Sequence, residues 1–147
     1  MDALTAETVV FLRSYLDALT AGDVDAIREH FAQDATWFVH GDLPMSGLQA
    51  GRDQIVDFLL AAGSLYEPET QSFSFGDITA QGDVAVLEWN VRGIGRASGA
   101  RYDNDYCGVF TIREGQIVGV REFFDTDHAR HVLFGPGAGV GPGGRRV

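Results

Sequence analysis

Cysteine is almost absent from this sequence, with Cys107 the single one among 147 residues. One cysteine cannot form an internal disulfide, and the chain has neither a CxxC motif nor a histidine and cysteine cluster with the spacing of zinc ligands. The sequence therefore predicts a metal-free protein of the cytoplasm.

Positive charge and long apolar runs are also scarce. The formal net charge is −10, and the terminal pair Arg145-Arg146 is the only basic run. Sites for nucleic acids and anionic membranes need clustered cations, so we expect neither as a partner. No stretch approaches the roughly 18 apolar residues of a membrane span. Arg13 and Asp17 interrupt the apolar N-terminus, which predicts an amphipathic helix rather than a signal peptide.

The spacing of apolar residues changes along the chain from a helical to a strand period. Steps of three and four residues predict helices, and later alternation with period two predicts strands between turn-forming residues. Thr5, with Glu7 or Thr8, is predicted to start the first helix, and Asp23 to cap the second. The predicted helices are 5–19, 24–31, 52–63 and a short one at 127–134, and the predicted strands are 35–40, 70–79, 84–94, 101–113 and 116–125, with a loop at 41–51.

Helices followed by strands predict an α+β fold in which helices cover one face of a curved antiparallel sheet and enclose a pocket. We expect a single domain over residues 1–134 and a disordered Gly/Pro-rich tail over 135–147. The other sheet face mixes apolar and polar residues, which favours a homodimer through that face. These outer residues are Val86, Glu88, Asn90, Arg92 and Val118.

Three segments carry a family resemblance: SYLDALTAGDVDAIREHFAQDATW, GRDQIVDFL and NDYCGVFTIREGQIVGVREFFD. Together they resemble the nuclear-transport-factor-2-like (NTF2-like) superfamily, in its ketosteroid isomerase and SnoaL-like polyketide cyclase branch, over roughly residues 7–128. The resemblance implies a cone-shaped fold that holds a small apolar organic ligand and needs no cofactor. It also matches Tyr15 to the tyrosine that ketosteroid isomerases use as an oxyanion donor.

The chain departs from the acidic positions of its relatives. The base aspartate of the isomerases falls near Val39 and their second oxyanion-hole acid near Gly108. In the limonene-epoxide-hydrolase pattern, Trp89 and Val91 stand where an arginine and an aspartate belong. The helix aspartate of the dehydratase relatives is absent near Leu19 and Thr20 as well.

Strand alternation, with the register taken from the resemblance, sorts the pocket face from the outer face. A carboxylate surrounded by Trp89, Tyr106 and Phe124 would be desolvated, so Glu122 is the first candidate for a general acid or base. The alternatives are a structural buried acid that is hydrogen-bonded by Tyr or Asn, or a register shifted by one residue, in which Glu122 points outward. The predicted inward residues are Trp37, Val39, Leu87, Trp89, Val91, Tyr102, Asn104, Tyr106, Gly108, Phe110, Val120, Glu122 and Phe124.

Other polar residues offer further roles in this pocket. His40, at the end of the first strand beside Asp42, is a candidate proton shuttle or an exposed loop-end histidine. Tyr15, Tyr106 and Asn104 are candidate donors to a substrate oxygen, or else bond within the core. We expect Trp37, Trp89, Asn104 and Phe124 to contact the substrate.

The remaining acids, histidines and the cysteine are assigned no chemistry. Asp103 and Asp105 alternate away from the pocket without calcium-loop spacing. Asp125 or Asp127 is expected to cap the last helix. The histidines at 128 and 131 are expected to lie on the surface, and Cys107, which faces outward without a basic neighbour, is not expected to be a nucleophile.

Three functions remain open from the sequence. The first is cofactor-independent acid–base catalysis, as an isomerase, aldol-type cyclase or dehydratase acting on a small oxygenated molecule such as a polyketide or terpenoid. The second is epoxide hydrolysis of the limonene-epoxide-hydrolase type. The third is a non-catalytic module that binds a small molecule or dimerises.

Overall fold

Four helices and six strands form the fold of residues 1–135, which the computed structural model describes. The helices are α1 (Ala3–Ala21), α2 (Val24–Glu29), α3 (Arg52–Gly63) and α4 (Thr126–Ala129), the last continuing as a π-helical turn (Arg130–Phe134). The strands are β1 (Phe31–Val39), β2 (Gly47–Ala50), β3 (Ser72–Gln81), β4 (Val84–Ile94), β5 (Arg101–Arg113) and β6 (Gln116–Phe124). The tail that the sequence predicts to be disordered lies outside the described residues after Gly135. The single domain over residues 1–134 stays a prediction.

The strands form one curved, open sheet in the order β2-β1-β6-β5-β4-β3. The run from β3 to β6 pairs antiparallel between neighbours, as expected. The expectation of an antiparallel sheet is wrong at β1, which pairs with β6 in parallel. Strand β2 occupies one edge of β1, and β6 pairs with the other edge and runs in the same direction as β1.

The short strand β2 lies inside the segment that the sequence predicts to be a loop. Its four residues pair with the end of β1, for example Leu48 opposite Phe38. Four residues are too few for alternation to be recognised, and the pairing depends on a partner strand rather than on local propensity. The loop prediction for 41–51 is therefore corrected to a loop followed by an edge strand.

Helix α1 begins earlier than predicted, because Asp2 supplies its cap. The Asp2 side chain accepts a hydrogen bond from the Thr5 backbone N–H at 2.7 Å. The two threonines predicted to start the helix instead hold the β3–β4 turn: Gly82 N–H donates to Thr5 Oγ1, and Thr8 Oγ1 donates to the Gly82 carbonyl. Asp23 caps α2 as predicted.

The helices cover one sheet face and divide the core into two clusters. The larger cluster joins α1 and α3 to the sheet through residues such as Leu12, Phe31 and Ile55. The smaller one lies at the other end, where Tyr66 and Tyr102 pack against the C-terminal helix. Residues of both clusters line a cavity between them.

The C-terminal helix is held against the sheet by a close backbone approach at Gly95. A Cβ added there would lie 2.2 Å from the Val132 carbonyl oxygen, which also accepts a hydrogen bond from Ser98 Oγ at 2.7 Å. We expect Gly95→Ala to lower the free energy of unfolding by about 1–3 kcal/mol, as overpacking does. Urea denaturation measures this. Gly119→Ala is the control, because its nearest atom is 3.7 Å away; equal stability of the two variants would contradict the prediction.

Candidate functional site

A cavity of about 240 Å³ lies between the inner sheet face and the helices. Its walls are mainly aliphatic and aromatic side chains from α1, α2, α3 and strands β1, β3, β4 and β5, and β6 contributes Glu122. Glu122 is the only charged residue among the lining residues that the structure describes. The cavity is therefore apolar, with the Glu122 carboxyl group in its lining.

Glu122 lies on the inner face of β6, near the centre of the sheet. It stands opposite Val39 of β1 and Gly108 of β5. Gly108 leaves space here: a Cβ at this position would lie 2.8 Å from the Phe110 ring and 2.9 Å from the Trp89 ring. The absence of a side chain at 108 thus lets two aromatic rings pack around the carboxyl group.

Burial controls the charge of this carboxyl group. Glu122 is 6% exposed, and its burial in the apolar cavity raises its pKa to about 8. The indole N–H of Trp37 favours the carboxylate and partly opposes the rise. Near pH 7 the group is therefore mostly protonated but close to titration, as a general acid or base requires.

Two hydrogen-bond donors beside the carboxyl group have no protein partner. Within residues 1–135, neither the Tyr15 hydroxyl nor Trp37 Nε1 forms a hydrogen bond, although the two side chains are only 1% and 3% exposed. The Trp37 N–H nevertheless favours the charged form of Glu122 and lowers its pKa. Burial raises the pKa of the Tyr15 hydroxyl, and the nearby Glu122 charge raises it further. Both donors line the cavity.

Three aromatic rings on adjacent strands form one wall beside Glu122. Trp89, Tyr106 and Phe124 occupy paired positions on β4, β5 and β6. The ring centroids of Trp89 and Tyr106 are 5.4 Å apart, and those of Tyr106 and Phe124 are 4.6 Å apart, with nearly parallel planes in both pairs. This stack gives the cavity a flat, rigid side.

Sequence comparison places this arrangement in a family. Residues 12–120 match the family of SnoaL-like domains, which is about three quarters of the chain. The protein belongs to the SnoaL-like family. This confirms the resemblance to the NTF2-like superfamily and the predicted fold of helices on a curved sheet. None of the curated proteins matches the chain.

Solved structures share the SnoaL-like fold at low sequence identity. An NTF2-like protein from Burkholderia xenovorans LB400 is 21% identical, with a TM-score of 0.74 over 88% of this chain and 97% of its own. A candidate SnoaL-like polyketide cyclase from Jannaschia sp. CCS1 is 18% identical, with a TM-score of 0.79 over 92% and 97%. TerC, co-crystallised with polyporic acid, is 16% identical, with a TM-score of 0.73 over 86% and 97%. These likenesses establish the fold.

Most of the predicted site residues of this SnoaL-like chain meet at the cavity. The cavity-lining members are Tyr15, Trp37, Trp89, Tyr106 and Glu122. Phe124 lies behind them and supports Tyr106 through ring stacking. Strand alternation therefore placed the inner face of the sheet correctly.

The predicted proton shuttle, His40, lies away from the cavity lining. The His40 ring stacks on Phe123 at 4.1 Å and contacts Phe38 edge-on, and these two phenylalanines alternate to the outer sheet face. Asp42, the expected partner of His40, accepts a hydrogen bond from Arg130 at 3.0 Å. Strand parity explains this position, because His40 follows the inward Val39.

Asn104 acts on the site through the tyrosines. Its amide donates to the Asp125 carbonyl at 2.9 Å, which fixes the amide orientation, and to the Tyr102 hydroxyl at 2.8 Å. The Tyr102 and Tyr106 hydroxyls share a hydrogen bond at 2.6 Å. Burial raises the pKa of both tyrosines. The Tyr106 hydroxyl is therefore already partnered, unlike that of Tyr15.

The residues expected to lie outside the site do so. Asp103 and Asp105 are exposed on the outer face, where both accept hydrogen bonds from Asn90. Asp125 caps α4 by accepting from the His128 N–H. Among residues 1–135, no group of three or more His, Cys, Asp or Glu side chains could hold a metal ion. None of the helices in that range has the length and apolar character needed to cross a membrane.

Sequence reasoning missed the part of the lining that comes from helices and loops. Tyr66 and Met45 come from irregular connections, and Leu133 from the C-terminal π-helical turn. Phe73 and Phe75 also line the cavity, and their alternation on a predicted strand could have identified them. The loop residues carry no comparable periodic signal.

Proposed function

We propose that this protein catalyses cofactor-independent proton transfer at a carbon atom beside a carbonyl group, with Glu122 as the general base and acid. One observation carries the proposal: a buried carboxyl group shares a cavity with the unpartnered donors of Tyr15 and Trp37. A buried donor without a partner costs about 1–3 kcal/mol. A ligand oxygen that accepts from both donors would offset that cost.

The proposed step begins with ionised Glu122. Its carboxylate removes the proton from the carbon, and the electron pair of the broken C–H bond forms the C–C double bond of an enolate. The negative charge that develops on the carbonyl oxygen is stabilised by the Tyr15 O–H and the Trp37 N–H, which face the cavity in advance. Protonated Glu122 then returns the proton to the same or another carbon.

The reaction class that follows is isomerisation, aldol-type cyclisation or dehydration, since each passes through such an enolate. The substrate we propose is a small apolar oxygenated molecule such as a polyketide or terpenoid, because the walls are aromatic and aliphatic. Membership of the SnoaL-like family and a fold neighbour described as a candidate polyketide cyclase support this choice. Tyr106 and Trp89 would contact the substrate, and Phe124 would support Tyr106 from behind.

Epoxide hydrolysis is the weaker alternative. The positions of the charged groups in that pattern hold Trp89 and Val91, and no arginine is among the described lining residues. A binding module without catalysis remains the contrasting outcome of the test below. A homodimer through the outer sheet face, a cytoplasmic location and independence of cofactors also stay predictions.

Hydrogen exchange at carbon tests the proposal without knowledge of the substrate. Cyclic and aryl ketones are incubated with the protein in deuterium oxide, and loss of the proton next to the carbonyl is followed by NMR. We expect the protein to accelerate exchange of ketones that enter the cavity. Binding is read independently from tryptophan fluorescence, since both tryptophans of the chain line the cavity. Ketones that bind without exchanging would identify a binding module instead.

A further inference from the structure

Two large apolar side chains of the cavity lining are exposed to solvent. Leu60 of α3 and Phe73 of β3 line the cavity, yet they are 55% and 53% exposed. Large apolar side chains that remain exposed beside a cavity mark a surface that another apolar group can cover. We call Leu60 and Phe73 the mouth.

The lining continues from the mouth to the buried acid. Phe73 and Phe75 lie on the same face of β3, with parallel rings whose centroids are 6.0 Å apart. Phe75 pairs with Trp89 across the strands, and Trp89 packs over Gly108, opposite Glu122. The carboxyl group is thus buried, and the lining from Glu122 toward Phe73 is aromatic, with Gln71 as a further polar lining residue.

The enclosed volume is small for a complete ligand. About 240 Å³ is below the roughly 300–1,000 Å³ of typical ligand pockets. A ligand that fills the buried end and has further carbon atoms must extend out of the cavity. The exposed lining residues Leu60 and Phe73 mark where it would extend.

We propose that the natural ligand is amphiphilic and longer than the cavity, with a carbonyl head at Glu122 and an apolar tail that passes through the mouth and covers Leu60 and Phe73. The head position rests on the proposed function. The tail position rests on the exposed lining alone. Leu60 and Phe73 are therefore residues that determine ligand length, and contact the tail rather than the reacting atoms.

A series of alkyl methyl ketones from 2-hexanone to 2-dodecanone tests this inference. Their dissociation constants are measured by tryptophan fluorescence at concentrations below their solubility. Each added methylene is expected to tighten binding by about fourfold if it is buried. In the natural protein this gain continues to the longest ketone. In the double variant Leu60→Ser/Phe73→Ser the gain stops at intermediate length, while 2-hexanone binds as before.

Two further variants keep the result interpretable. Leu48→Ser changes an equally exposed leucine, 48% exposed, that does not line the cavity, and it should bind every ketone like the natural protein. In Glu122→Gln the ketone affinity should still depend on chain length. A loss of proton transfer can therefore be distinguished from a loss of tail binding. The inference is overturned if no ketone binds or if the affinity of the natural protein stops rising at intermediate chain length. It is also overturned if the double variant binds 2-dodecanone as tightly as the natural protein.

Discussion

Replacement of Glu122 by glutamine is expected to raise the free energy of unfolding at pH 8 by up to about 5 kcal/mol and to leave it nearly unchanged at pH 4. Burial raises the pKa of this carboxyl group from 4.5 to about 8. Between these pH values the folded protein retains a proton that the unfolded chain has lost, so stability falls as pH rises. The difference of 3.5 pKa units, at 1.36 kcal/mol each, gives about 5 kcal/mol. Glutamine has no such proton to lose.

Guanidinium denaturation at several pH values measures this effect. The natural protein should lose stability, relative to Glu122→Gln, progressively from about pH 4.5 to pH 8 and no further above pH 8. Glu88→Gln is the matched control, because Glu88 is exposed on the outer face of β4. That variant should follow the pH profile of the natural protein. Parallel profiles for the natural protein and Glu122→Gln would show that Glu122 is not held in an apolar environment.

This stability cost separates a structural from a functional interpretation of Glu122. A buried acid kept for structure would be expected to accept hydrogen bonds that lower its pKa. Here the Trp37 N–H is the one group that favours the charged form, and it does not form a hydrogen bond. Destabilised groups persist mainly where function requires them. The electrostatics of the cavity therefore agree with an acid–base role.

The sheet could be predicted well because its strands alternate strongly between clear turns. The observed limits of β4 (Val84–Ile94) and β5 (Arg101–Arg113) coincide with the predicted ranges. On strands with this alternation, one residue known to face inward determines which of the other residues face inward. With the register taken from the family resemblance, alternation with Val120 and Phe124 places Glu122 on the inner face.

Features that depend on distant partners could not be predicted from local pattern. The parallel pairing of β1 with β6 requires two segments about 80 residues apart to meet. The lack of a partner for the Tyr15 hydroxyl depends on how α1 lies over the sheet. The mouth joins Leu60 of α3 to Phe73 of β3, and their meeting depends on how α3 lies over the sheet. These are consequences of packing rather than of propensity.

The second large effect concerns the proposed reaction. In the exchange assay, Glu122→Gln is expected to reduce the rate by about 10²–10⁴-fold, the usual contribution of a general base. In the natural protein the rate should rise with pH and level off above about pH 8, because only ionised Glu122 accepts a proton and its pKa is about 8. The glutamine variant should lose this pH dependence. NMR at a series of pH values measures both.

The two donors provide the separate test of enolate stabilisation. Tyr15→Phe and Trp37→Phe each remove one donor while keeping an aromatic ring, and each should slow exchange by about 10²–10³-fold. Ketone binding should change little, because the negative charge on oxygen appears only as the C–H bond breaks. Glu88→Gln should exchange ketones at the natural rate. A donor variant that weakens binding and rate equally would show that the donor holds the ketone without stabilising the enolate. Full exchange in Glu122→Gln would place the base on another residue.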